Sequence, residues 1–197
     1  MGIGGYCGIE INAPFSEYQI EQIEPLQLNI EIKGFDEKEN TINIGWANIF
    51  IYDEEVIDFE IKEGYDDRQS KCFKSIRYIN SLKEEYFKDY HPQTTSVYGR
   101  VAYLDRISID KEFRGNGYGT LAIKDIFLYL RKYLLVDFIL LFPYPFEWDK
   151  VDEESKNETL IAQDKEKVIS FYKKLGFEFT YGVLHEPYMC LDIRYLL

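Results

Sequence analysis

Between residues 97 and 134 the sequence changes its period twice. The run VYGRVAYLDRISID, Val97 to Asp110, reads as a strand. The glycines Gly115, Gly117 and Gly119 follow at alternate positions, and a helical pattern then runs from about Gly117 to Leu134 through LAIKDIFLYLRKYLL. Strand, glycine turn and helix in direct succession restrict the chain to folds that lay helices against a sheet. Each glycine carries backbone freedom that folding must remove. Three of them where a helix begins therefore imply a requirement that no side chain satisfies.

The spacing separates several phosphate-binding patterns. No Gly-Lys-Ser/Thr occurs, so this is not a Walker A loop, and the dinucleotide pattern G-x-G-x-x-G fails at Thr120. The chain carries R-x-x-G-x-G from Arg114 to Gly119. The first turn of a helix has unpaired N–H groups and the positive end of the helix dipole, and glycines let anionic oxygens reach those amides. Arg114 and Lys111 add local positive charge. A plain flexible turn is the competing reading.

The rest of the chain supplies a sheet and further helices. Residues 1–25 have no clear period and read as an irregular lead-in. Leu26, Leu28, Ile30 and Ile32 alternate with polar residues, and GFDEKEN then leads into TINIGWANIFIYD, which predicts an antiparallel hairpin over 26–52. Residues 53–66 are acidic and ambiguous. Cys72, Phe73, Ile76, Ile79, Leu82 and Tyr86 predict an amphipathic helix within 67–89, ended by His91-Pro92. After the glycine loop and its helix, VDFILLFPYP reads as a strand buried on both faces, as in parallel pairing. EWDKVDEESKNETLIAQ reads as a loop or insertion. A helix follows at roughly 164–175, closed by Gly176, and strands follow at 177–181 and 188–195. The sum is one mixed α/β domain over 1–197.

Composition narrows the function. Hydrophobic residues form 46% of the 197 and aromatics 17%, enough for a packed core. The net charge of −12 argues against a nucleic-acid partner, because a phosphate backbone would be repelled. Cys7, Cys72 and Cys190 are odd in number and far apart, which supports neither a disulfide framework nor a zinc site and fits a reducing cytoplasm. The start MGIGGYCGIE has no signal-peptide pattern, and Tyr6 stands where myristoylation needs Ser or Thr. No apolar run approaches a membrane span, so no membrane is expected, and the lack of a Cys/His ligand cluster predicts no metal.

A second motif, SFYKKLGFEF from Ser170 to Phe179, carries Phe171 and Tyr172 into a Leu175-Gly176 helix end and straight on to a strand. In the order found here, ISIDKEFRGNGYGTLAIK and FYKKLGFEF resemble the GNAT superfamily of acyl-CoA-dependent N-acetyltransferases over residues 97–197. The resemblance implies a mixed, mostly antiparallel central sheet with flanking helices and a splayed parallel strand pair forming the acyl-CoA cleft. Three features depart from the usual pattern. The early helix follows the hairpin, Lys165 and Val168 replace an Asn and an Ala common upstream of the tyrosine, and PYPFEWDKVDEESKNETL is longer than the usual connection and would line the acceptor side.

What the resemblance implies is acetyl transfer from acetyl-CoA to a primary amine of a small molecule or peptide. The pyrophosphate would lie on the amides of Arg114, Gly115, Asn116, Gly117, Tyr118, Gly119 and Thr120. The pantetheine arm would pair with Ile107, Ser108 and Ile109. Tyr172 would be the general acid, against an aromatic packing residue as the other reading. Asp105 is the first candidate base, since it lies two residues before Ile107 on the same strand face, and Glu147 is the second. A salt bridge with Arg100 or Arg106 is the competing role of Asp105. The expected partner is an amine-bearing acceptor, and a homodimer is allowed. Two further hypotheses stay open. One is a non-catalytic acyl-CoA-binding protein of the same fold. The other is an aminoacyl-tRNA-acetylating toxin, which the acidic charge disfavours.

Overall fold

The predicted hairpin forms as β2 (Leu26–Asp36) and β3 (Thr41–Tyr52), paired antiparallel from Leu26 opposite Ile51 to Phe35 opposite Thr41. Between them Asp36 closes the turn by accepting the amides of Lys38 and Asn40, each at 2.8 Å. This computed structural model describes residues 3–13, 24–63, 68–75, 77–78, 96–145, 157–180 and 188–195. Seven strands form one sheet in the order β1-β2-β3-β6-β7-β9-β8. Its members beyond the hairpin are β1 (Ile3–Asn12), β6 (Arg100–Ile109), β7 (Val136–Leu141), β8 (Glu178–Phe179) and β9 (Met189–Asp192). A separate pair, β4 (Arg77–Tyr78) with β5 (Ser96–Val97), is parallel.

Four expectations are corrected. The lead-in is not irregular throughout: Ile3–Asn12 is an edge strand on β2. Gly5 and Gly8 sit at positive φ beside its register shifts, and such bulges erase the alternation by which a strand is recognised. The ambiguous acidic segment contains helix α1 (Glu54–Glu63). The helix predicted over 67–89 is realised only as α2 (Arg68–Lys74); Arg77–Tyr78 is already strand, and 79–95 lies outside the described residues. Finally, the last long helix, α4 (Glu158–Lys174), begins well before residue 164. Asn157 caps it, its side-chain oxygen accepting the amides of Thr159 and Leu160.

Both faces of the sheet are covered. Helices α3 (Tyr118–Leu134) and α4 pack on one face, where Ile123, Ile126, Phe127 and Leu130 meet Ala102, Leu104, Ile139 and Leu141. Helices α1 and α2 cover the other, where Val56, Ile57, Cys72 and Phe73 meet Tyr103, Phe138 and Leu140. Strand β7 therefore sends Phe138 and Leu140 to one layer and Ile139 and Leu141 to the other, which is why its sequence is continuously apolar. Each of these fully buried side chains contributes about 1.5–3 kcal/mol.

The feature that positions the site is the parallel pair of β6 and β7. Their pairing runs from Arg100 opposite Val136 to Leu104 opposite Leu141 and stops there, while β6 continues to Ile109. At the same point β6 carries an extra residue against β3: Leu104 faces Ile49, Arg106 faces Asn48, and Asp105 falls between them. This β-bulge bends the strand as the pair ends, and the two strands part. The mixed, mostly antiparallel sheet with flanking helices and a splayed parallel pair is the expected fold class.

Candidate acyl-CoA cleft

A cleft of about 690 Å³ opens where β6 and β7 part. The far half of β6 forms one wall, the glycine loop and the start of α3 close one end, and α4 with Phe142, Tyr144 and Pro145 forms the rest. Residues 105–109 keep β3 on one side only, so their other edge faces the opening. Ile107, Ser108 and Ile109 all line it, and Ser108 is buried. Strand β3 lies so close behind that a Cβ on Gly45 would come within 2.3 Å of the Ser108 carbonyl oxygen.

The glycine loop has a definite shape. After Asp110, one 3-10 turn at Lys111–Phe113 buries Phe113, and the chain then passes through Gly115 at φ 83° and Gly117 at φ 80°. Both angles lie in the left-handed region that L side chains avoid. Gly117 is also the N-cap of α3, and its carbonyl accepts the amides of Thr120 and Leu121. Gly119 differs: its φ is helical, and a Cβ there would stand 3.5 Å from Ile109 in ordinary contact. Two glycines are thus required by the backbone, and the third leaves room at the cleft.

The amides of residues 115–119 meet no acceptor among the described residues. Arg114 folds back, donating Nε to the Ile109 carbonyl at 2.7 Å and tying the loop to the end of β6. Asn116 is the one predicted loop residue that does not line the cleft; its side-chain amide bridges the carbonyls of Phe113 and Arg114 and braces the loop from behind.

Tyr172 reaches the cleft from the last turn of α4. Gly176, at φ 96°, ends that helix with Gly176 N–H on the Lys173 carbonyl and Phe177 N–H on the Tyr172 carbonyl, the capping pattern that its position predicted. The ring is buried and packs edge-on against Phe171 and Phe177. The packing role is therefore present. Yet its hydroxyl has no hydrogen-bond partner among the described residues, and burial pushes the phenol pKa well up. A buried donor without a protein partner is one that a ligand can satisfy.

Asp105 also lines the cleft, but the reasoning that placed it there is corrected. The bulge breaks the two-residue alternation, so Leu104 and Ile107, three apart, share the core face toward α3 and α4. The competing ion pair exists as well, with Arg106 Nε 3.5 Å from Asp105 Oδ2, whereas Arg100 instead donates to the Leu134 carbonyl. Glu147, the second candidate base, lies outside the described residues. Sequence reasoning missed Lys167 and Lys174, which line the cleft, and Arg68, which does not line it but stacks on its lining rings Phe142 and Tyr144. Lys167 and Lys174 share a helix face with each other, but five before and two after Tyr172 they fall away from its ring, so helical spacing from Tyr172 does not place them at the cleft, and nothing local to Arg68 pointed to it.

No protein-family model matches the sequence, and no curated protein matches it. Solved structures of similar shape exist. One is AtaT complexed with acetyl-methionyl-tRNAfMet, at 12% identity and TM-score 0.42 over 95% of this chain and 96% of that one. Another is AtaTR bound with acetyl-CoA, at 14% and 0.44 over 85% and 71%. A third is arylalkylamine N-acetyltransferase 2 from Aedes aegypti, at 17% and 0.38 over 84% and 73%.

One expectation is overturned. One of the structures of similar shape is complexed with a tRNA, and a net charge of −12 does not by itself exclude nucleic acid as a partner or confine the partner to a small amine. The physical reason is that charge summed over the chain is not the potential inside a cleft. Here Arg106, Arg114, Lys167 and Lys174 all line the opening. Among the described residues no cluster suited to a metal occurs, and no helix is long and apolar enough to cross a membrane.

Proposed function

We propose that the protein is a single-domain cytoplasmic N-acetyltransferase that moves an acetyl group from acetyl-CoA to a primary amine by direct attack. The observation that carries the reading is the convergence on one cleft of an unpaired strand edge, a helix N-terminus cleared by glycine, and a buried tyrosine hydroxyl. Strand pairing suits the pantetheine arm, which carries amides of its own. The free amides of residues 115–119, with Thr120 beside them, suit the pyrophosphate, which leaves the end toward Phe142 and Tyr144 for the acceptor.

In this reading the amine nitrogen attacks the thioester carbonyl, a C–N bond forms, and the C–S bond breaks. Backbone N–H groups on the open edge at Ile107–Ile109 stabilise the oxyanion. An alkylamine with a pKa of about 10.4 must first lose a proton, which Asp105 accepts directly or through water. Tyr172 stays neutral at working pH because burial raises its pKa. Transfer of its proton to a thiolate of pKa about 8.5 is uphill, so Tyr172 acts chiefly as a hydrogen-bond donor to the departing sulfur.

The test is CoA release from acetyl-CoA over an amine panel, run beside a direct CoA titration. Turnover that Tyr172→Phe reduces while CoA affinity holds is the expected result. Tight CoA binding with no turnover on any amine would make this a binding protein and overturn the catalytic reading.

A further inference from the structure

At the acceptor end of the cleft, two cations from different elements meet one ring. Arg68, the first residue of α2, holds its guanidinium 5.3 Å from the centre of Phe142 and 5.4 Å from that of Tyr144. Lys165 of α4 places its ammonium 6.0 Å from the same Phe142 ring. Phe142 and Tyr144 follow directly on β7, their rings are stacked within 14° of parallel, and both line the cleft. Phe142 packs further on Tyr188, so the platform is anchored in the core.

The origin of Arg68 matters. Helices α1 and α2 cover the sheet face opposite α3 and α4, and the buried Cys72 and Phe73 fix α2 there. Arg68, at the exposed start of α2, meets Phe142 on that same face, where Phe142 packs on Tyr188, and Phe142 carries the contact to the cleft that it lines. A guanidinium stacked by its face on aromatic rings is oriented at little further entropic cost, and it binds carboxylate or phosphate through its edge. Lys165, standing where a neutral Asn is usual in the resembling family, brings a second cation to the same ring.

We infer that Arg68 and Lys165, seated on the Phe142–Tyr144 platform, bind an anionic group of the acceptor, so that this chain selects amines bearing a carboxylate or phosphate over neutral amines of the same shape. The inference rests on the acceptor lying at this end of the cleft, as the proposed function has it. It names the acceptor's charge, which that proposal leaves open.

Matched probes test it: O-phosphotyramine against tyramine for phosphate, and phenylalanine against phenethylamine for carboxylate. Calorimetric titration, with CoA at saturation to fill the donor end, reads each affinity without needing turnover. The wild type should bind at least one anionic member about tenfold or more tighter than its neutral partner, a margin typical of one charge-assisted contact. Arg68→Ala should remove most of that preference and leave the neutral member unchanged. Arg68→Lys should restore part of it, and Lys165→Ala should show a smaller loss. Equal binding of both members of each pair, no measurable binding of any, or a preference untouched by Arg68→Ala would each overturn the inference. If CoA itself does not bind, the same titration without it still reads the preference. A preserved preference would then sink the donor reading alone.

Discussion

The two halves of β6 have the same neighbours in sequence and opposite roles. From Val101 to Leu104 the strand is paired on both sides, and all four residues are buried. From Asp105 to Ile109 it is paired on one side only and lines the cleft. The first half uses its backbone hydrogen bonds in the sheet, and the second leaves one edge without a strand partner among the described residues. One extra residue at Asp105, with the end of β7 at Leu141, makes the difference. Stability and binding are therefore separable along a single strand, and variants on either side should move one without the other.

The largest effect belongs to the paired half. Ile139 of β7, opposite Ala102, is 1% exposed, so Ile139→Ala should cost about 2–5 kcal/mol in denaturant unfolding. CoA affinity of the fraction that stays folded should change little. Tyr172→Phe should do the reverse, lowering turnover about 100-fold with CoA affinity within twofold. Steady-state kinetics beside a binding titration would show it, and an equal loss in both would return Tyr172 to a packing role.

Gly119→Val comes next. The new methyls would project into the cleft from a helical position that tolerates a side chain, so CoA affinity should fall at least about tenfold, with little change in melting temperature. Gly117→Val is a poorer test, because φ 80° would strain a β-branched residue whatever the ligand. The smallest effect is a pH slope. Burial raises the pKa of Tyr103, Tyr172, Cys72 and Cys190 above their ordinary values of 10.0 and 9.0. Their contribution is full below about pH 9 and declines as pH climbs further, since the unfolded chain then loses protons first. Tyr172→Phe should flatten part of that decline in unfolding curves above pH 9.

What was legible in the residues was local. The alternation of Leu26 to Ile32, the apolar run of β7 and the Gly176 helix end each carry their structure within a few positions, and each forms as expected. The three glycines were legible as a group but not as individuals: only backbone angles separate Gly115 and Gly117 from Gly119. Nonlocal features stayed hidden. The bulge at Asp105 depends on the register of a strand some fifty residues earlier, and β1 carries glycines that mask its period. Arg68 reads as one more charge on a short helix until Phe142 and Tyr144 arrive from another part of the chain. The acidic total likewise hid a cleft rimmed by cations.

The central claim is that the open half of β6 and the glycine loop together receive an acyl-CoA. Amide-resolved NMR during a CoA titration tests it most directly. The account predicts saturable shifts concentrated at Ile107–Ile109 and Gly115–Thr120, with Val101–Leu104 unmoved. Binding that leaves those amides unshifted, or no binding of CoA at all, would contradict it.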